Sequence, residues 1–345
     1  MTEKEYNRIL WVDYAKAVLI FFVALLHTGL PTSYKEVIRM FVIPFFFFLS
    51  GIFFRPERYK SYTEFFKQKG VKILIPYLFF NLVTYLFWLL IGRKFGLDSE
   101  STIHPAKPLL GVLYGTSTMM QHYVPLWFLA CLFMVESIYY LVCKYAESTK
   151  NCILVITVLV VIGCVKSYYI SYPFPWGIDI ALIMLAFYAF GNLAKDKFLT
   201  PKKTSLFTQL VIIFGFFGIV FLMSILNSEV KVFINSYGNF FYFFIGAFAG
   251  IISLSIAFQL LEKVIKKQNW FLFVGQNTLI ILALHLIAIS FVKAIFVYIL
   301  KFDLADFQNS LVFSVSFSVL AILVLVPVIN FINKYLPFVV GKKRA

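Results

Sequence analysis

Trp11-Val-Asp-Tyr-Ala-Lys-Ala-Val-Leu-Ile-Phe-Phe-Val-Ala-Leu-Leu-His27 is the stretch that decides how the chain is read. It is apolar enough to enter a membrane, yet it carries Asp13, Lys16 and His27. A charged residue inside a membrane span costs roughly 2.5–3.5 kcal/mol on insertion scales, so its presence points to function by default. At about 3.6 residues per turn, Lys16 and His27 lie about three turns apart on one helix face, roughly 16 Å along the axis. Asp13 sits one turn below Lys16, close to the same face. A plainer reading stays open. In it Asp13 and Lys16 are interfacial residues snorkelling at a helix start, and His27 is a boundary residue before Gly29-Leu-Pro31.

Outward from this stretch the composition is of one kind. Hydrophobic residues make up 61% of the chain and charged residues 14%, with a mean hydropathy of +0.88. A soluble domain carries about 25% charged residues. The chain therefore reads as an all-α integral membrane protein forming one unit over residues 1–345. Windows of about 20 apolar residues predict a bundle of about ten transmembrane helices at 9–29, 37–54, 72–92, 124–143, 152–170, 176–194, 206–226, 239–260, 273–299 and 310–333. With the N-terminus in the cytoplasm, the 31 lysines and arginines divide into 21 on the inside, nine on the outside and Lys16 within the first span. That bias follows the positive-inside rule and puts both termini in the cytoplasm. The formal net charge of +15 is thus a matter of sidedness. The partner it implies is the lipid bilayer, and no nucleic acid. Cys131, Cys143, Cys152 and Cys164 fall in or beside apolar segments without ligand spacing, so neither a disulfide framework nor a metal site is expected. Asp13 and Lys16 interrupt the apolar run that a cleavable signal would need.

Four stretches resemble a known family. They are Asp13, Lys16 and His27 in the first span; Pro44-Phe-Phe-Phe-Phe-Leu-Ser-Gly51; Lys69-Gly-Val-Lys72-Ile-Leu-Ile-Pro76-Tyr77; and Gly275-Gln-Asn-Thr-Leu-Ile-Ile-Leu-Ala-Leu-His285. Leu126-Trp127-Phe128-Leu129 is a weaker match. In this order, over nearly the whole chain, they are similar to the acyltransferase-3 superfamily of multi-span membrane O-acyltransferases. The resemblance implies an enzyme of a bacterial inner membrane. It would move an acyl group, acetyl by default, from acyl-coenzyme A to a hydroxyl of a cell-surface glycan or lipid-linked sugar. It also implies a catalytic site at His27, Asp13, Lys16 and His285, and a donor site at Lys16, Lys69 and Lys72. Two departures stand out: Lys16, Lys69 and Lys72 occupy positions where arginine is more usual, and Leu282 stands where tyrosine is common. Lysine holds a phosphate as a point charge, without arginine's bidentate fork.

The residues support parts of this chemistry on their own. Acyl transfer to a hydroxyl needs a base, or a nucleophile that first takes the acyl group. Histidine does either near neutral pH. Lys69 and Lys72, three apart, share a face, and at the start of a third helix they would offer an anion site or a plain cluster at lipid headgroups. His285 reads equally as a hydrogen bond between helices. Glu136 calls for a lysine, a serine or a proton. Asp179 reads as a solvated end residue, and Phe45 to Phe48 as lipid-facing and helix-packing surface. His104 and His122 fall in the longest external loop, 93–123. A transporter or exporter of a glycan or acyl-bearing solute, with the buried charges as its coupling path, is the competing function.

Overall fold

The computed structural model describes residues 9–95, 102–200, 204–265 and 269–342. Lys4, Arg8, Lys202, Lys203, Lys266, Lys267, Lys343 and Arg344, counted above as cytoplasmic cations, lie outside the described residues. Within these bounds the chain is helical, with no strand: α1 (Leu10–Leu26), α2 (Thr32–Phe53), α3 (Tyr62–Phe87), α4 (Ala106–Tyr114), α5 (Trp127–Tyr145), α6 (Thr149–Tyr169), α7 (Ile178–Leu193), α8 (Lys195–Leu199), α9 (Leu206–Leu226), α10 (Phe240–Val264), α11 (Asn269–Gln276), α12 (Thr278–Ala294) and α13 (Leu311–Tyr335). Ser61, Ser148, Ser205, Asn239 and Ser310 cap α3, α6, α9, α10 and α13, each side chain accepting from a backbone N–H of the first turn. Such caps satisfy amides that a helix leaves open.

Every predicted span is occupied by helix. Nine helical stretches among the described residues are long and apolar enough to cross a membrane. The stretch that opened the reading, α1, has 17 residues, the short limit of a spanning helix at about 17–25 residues. Two spans differ from expectation. The third helix starts at Tyr62, ten residues before the predicted position 72. The ninth is broken at Asn277 into α11 and α12.

α1 occupies the middle. It packs against α2, α10, α11, α12 and α13, and Trp11, Tyr14, Ala15, Leu19, Ile20 and Ala24 are all buried. By contrast, α9 and α6 are only 17% and 22% buried over their most apolar windows, so they form the periphery. α2 and α7 cross backbone to backbone. A Cβ at Gly51 would overlap the Tyr188 carbonyl, and one at Gly191 the Phe48 carbonyl, which is how small residues let membrane helices approach. Asn192 bolts this crossing, its Nδ2 donating to the carbonyls of Gly51 and Phe54 and its Oδ1 accepting from Tyr139. Phe45, Phe47 and Phe48 are fully buried. Of the two roles expected there, helix packing holds for these three and lipid contact is corrected: Phe48 packs between Phe190 and Phe198, Phe45 meets Phe258, and Phe47 meets Phe128.

Connecting segments meet one another in two groups. In one, Arg39, about two turns into α2, pairs with Glu229 between α9 and α10. There too Ser167 donates to the Asn235 carbonyl, Ser117 to the Phe233 carbonyl, and Tyr114 to the Pro173 carbonyl. In the other, Gln259 donates to the Phe198 carbonyl, the Trp11 amide to Glu262, and Tyr14 to the Ile265 carbonyl. Asp179 is not the solvated end residue expected. It is 1% exposed, ion-paired with Lys166 and accepting from Asn235.

Candidate active site

α1 and α12 run in the same direction, and their register is set where both begin. A Cβ at Gly275 would overlap the Asp13 carbonyl, so the absence of a side chain lets the α11–α12 break sit directly on α1. Ten residues on, His285 meets His27, with ring centroids 5.2 Å apart and planes at 50°. His27 caps the C-terminal end of α1 and is exposed, although Leu25 and Thr28 beside it are buried. His285 is completely buried. Its Nδ1 lies 3.0 Å from the Ile281 carbonyl and 2.9 Å from the Leu282 carbonyl, so this nitrogen carries the proton. Its Nε2 is then a lone-pair acceptor, and it has no partner. Tyr123 also meets the ring, centroids 6.2 Å apart. Its hydroxyl donates to the Leu282 carbonyl at 3.0 Å, accepts from the Leu286 amide at 3.3 Å and lies 3.4 Å from His285 Nδ1.

At the far end of α1, Asp13 and Lys16 line an open cavity of about 880 Å³. That volume falls within the range of about 300–1,000 Å³ typical of small-molecule and cofactor sites. Lys16 stands 5.7 Å from the centre of the Phe53 ring. Arg55, Arg58 and Lys195 join it in the lining, with Glu57 and Asp196 beside Asp13 as the acidic members. The cavity exists because Pro56–Arg58 forms a tight turn after α2 and because α8 turns back at once after α7.

Lys69 and Lys72 lie outside this lining. With α3 starting at Tyr62, they are about two and nearly three turns inside the helix, so its N-terminal amides are not next to them. Lys69 reaches the carboxylate of Glu136, 2.8 Å from Oε2 and 3.0 Å from Oε1, and lies 5.2 Å from the centre of the Phe54 ring. Ser50 donates to the same carboxylate at 3.2 Å. Glu136 therefore takes two of the partners anticipated for it, a lysine and a serine. Lys72 is exposed on α3, where its backbone abuts Gly341. Beyond it, Lys342 donates to Asn333 at 2.7 Å, and Asn333 donates to Asn277 at 2.8 Å. This fixes the α11–α12 break from below.

A family model described as an acyltransferase domain, acyltransferase-3, matches residues 9–330. The chain belongs to the acyltransferase-3 family. No curated protein and no solved structure matches it. The family makes this chain a membrane acyltransferase, and the match runs from just before α1 into α13. Of the residues that the resemblance singled out for this acyltransferase, the fold brings His27 to His285 and Asp13 to Lys16. The two pairs occupy opposite ends of one helix.

Sequence reasoning passed over several residues of this acyltransferase. Arg55, Arg58 and Lys195 counted only as topology signals, although Arg55-Pro-Glu-Arg58 is a compact basic turn directly after a span. Tyr123 carried no signal of its own. Its neighbour His122 was noted only as a loop histidine. It is 9% exposed, and neither ring nitrogen has a partner. Asn81 on α3 is likewise buried with its Oδ1 unpartnered. A buried polar atom left unmatched costs about 1–3 kcal/mol, so each such atom calls for an explanation.

Proposed function

We propose that this acyltransferase moves an acyl group, acetyl in the first instance, from cytosolic acyl-coenzyme A to a hydroxyl of a cell-surface glycan or lipid-linked sugar, in the inner membrane of a bacterium. The observation that carries the reading is the polarity of α1: a histidine pair at one end and a cation-lined cavity at the other. Lys16, Arg55, Arg58 and Lys195 hold the phosphates of the donor. Its pantetheine arm spans the roughly 16 Å along α1 between Lys16 and His27. His27 removes the proton of the acceptor hydroxyl, and the oxygen attacks the thioester carbonyl. The sulfur leaves and takes the proton back from the imidazolium, giving an ester and free coenzyme A. The His285 ring lies 5.2 Å from that of His27, and its Nε2 is a lone-pair acceptor without a partner. When the substrates bind, one nitrogen of His27 turns onto that lone pair, which fixes the tautomer whose other nitrogen is the base, the logic of an oriented imidazole.

Purified protein in detergent tests this with labelled acetyl-coenzyme A. Charge-assisted hydrogen bonds are worth about 1.5–3 kcal/mol each, so Arg55→Ala with Arg58→Ala is expected to weaken donor binding at least about tenfold. Lys72→Ala is the contrasting variant, because Lys69 also holds Glu136. A loss confined to Lys72→Ala would move the donor onto α3, and a wild type that binds no thioester would end the reading.

The sidedness is testable separately. With the Lys16 end in the cytoplasm, a single cysteine replacing the exposed Lys107 is expected to react with an impermeant maleimide on intact cells. One replacing the exposed Lys60 should react only after permeabilisation. The opposite pattern reverses the orientation.

A further inference from the structure

α12 carries one lysine, Lys293, and no acid. It follows His285 by eight residues, about two turns and roughly 12 Å along the axis, so it lies beyond the histidine pair on the side where α1 ends. Its ammonium stands 6.0 Å from the centre of the Phe317 ring, and no carboxylate among the described residues pairs with it. Two cations act electrostatically on His27, Arg39 and Lys293. Arg39 is neutralised, by Glu36 at 3.0 Å and by Glu229. Lys293 is not. Packing ties the two places together. Gly29, two residues after His27, has a φ of +115°, and a Cβ there would overlap the Phe307 carbonyl. The Phe307 ring in turn lies 4.9 Å from that of Phe317. Asp303 and Asp306, the acids of the turn that carries Phe307, are spent on capping that turn. A lysine that only snorkelled to headgroups would occupy the outermost turn. Here the helix runs on through Ile295–Ile299. A helical side chain also leans toward its own N-terminus, which for Lys293 is back toward His285. A charge within a span is costly to keep, and this one lacks its counter-charge.

We propose that Lys293 is a specificity residue that meets an acidic group of the acceptor, a phosphate or a carboxylate carried near the hydroxyl delivered to His27. The inference rests on the acyl-transfer reading and adds to it that the acceptor is anionic. An ammonium on a flexible stem meets either acid as a point charge. The offset along α12 suits a group set back from the reacting hydroxyl, rather than the thioester carbonyl. A neutral glycan would leave the ammonium as bare as it is without a substrate, so the acid is what separates a good acceptor from a poor one.

The test reads where the acetyl group lands. Lipid-linked and finished glycans from cells making the wild type are fragmented in the mass spectrometer. The acetyl group is expected on a unit that bears a phosphate or a carboxylate, or on its immediate neighbour, and the fragment masses tell the two acids apart. Acetyl groups confined to neutral stretches overturn the proposal. Lys293→Met keeps the length of the side chain and removes its charge. It is expected to lower this acetylation at least about tenfold, with acetyl-coenzyme A affinity and unfolding temperature in detergent unchanged, and Lys293→Arg is expected to restore most of the loss. Undiminished acetylation in Lys293→Met means that the ammonium serves lipid headgroups, and overturns the proposal. An equal fall in donor affinity or a drop in unfolding temperature overturns it also, since the residue then serves the donor or the fold. So does a loss of thioester hydrolysis without acceptor as large as the loss of transfer, which would put the charge at the reacting carbonyl. A wild type that acetylates no glycan removes the acyl-transfer reading itself, a different result from any of these.

Discussion

Replacing His27 by alanine is expected to abolish most acyl transfer while leaving the protein folded and able to bind its donor. General base catalysis contributes typically 10²–10⁴-fold, and the loss should be of that size or larger. The structure explains why folding should survive. His27 is exposed at the end of α1, so its removal opens no sealed cavity and strands no buried charge. The donor cavity lies about three turns away and does not include it. His285→Ala should reduce turnover less, because His285 orients the base, but should cost more stability, because it is fully buried. Kinetics with saturating acetyl-coenzyme A and a thermal-unfolding trace for each variant give both readouts. A His27→Ala protein turning over near the normal rate would remove His27 from the chemistry.

Lys166→Ala is expected to produce the largest loss of stability among single substitutions of charged residues. Lys166 is 5% and Asp179 1% exposed, and the two are ion-paired. Breaking a buried pair from one side leaves an uncompensated charge and costs roughly 3–5 kcal/mol. Asn235 still donates to Asp179, but an amide does not neutralise a carboxylate. Pairing Lys166→Met with Asp179→Asn removes both charges and should recover most of the loss, because the desolvation of two ions disappears with their attraction. Thermal unfolding of the wild type, both single variants and the double variant measures the coupling. Additive losses would mean that the ion pair contributes nothing beyond its two members.

The contrast between what was legible and what was not lies in the range of the forces involved. A membrane span must be apolar over about 20 residues, so hydropathy located every long helix. The start of α3 was missed because hydropathy says nothing about an amphipathic turn outside the apolar run. The local signal was nevertheless present. Ser61-Tyr-Thr-Glu64 has the residue pattern of a capping box, with the Glu64 amide donating to the Ser61 side chain at 3.2 Å and the amide of Lys60, one residue before the cap, donating to the Glu64 side chain at 2.9 Å. Burial of Phe45, Phe47, Phe48 and Asp179 was illegible because an apolar side chain looks the same to lipid and to protein. The same holds for a charged group at a helix end, which is solvated or paired according to what the rest of the bundle places over it. The Lys16 and His27 spacing was readable from one helix. The approach of His285 was not, since it depends on a missing side chain at Gly275 meeting a backbone more than 250 residues earlier.

The central position of α1 also bears on assembly. Along the chain α1 precedes all of its partners, yet it is enclosed chiefly by α10, α11, α12 and α13. Its anchoring contacts, the Trp11 amide to Glu262 and Tyr14 to Ile265, join residues 251 positions apart. During synthesis α1 therefore waits without its sheath while the intervening helices are made, and Asp13 and Lys16 meet lipid or water in the meantime. Contacts of such long sequence separation form late. Membrane integration of the first helix thus becomes secure only when the last four close around it, and a chain halted after α9 would present the quality-control machinery with a charged, unsheathed span.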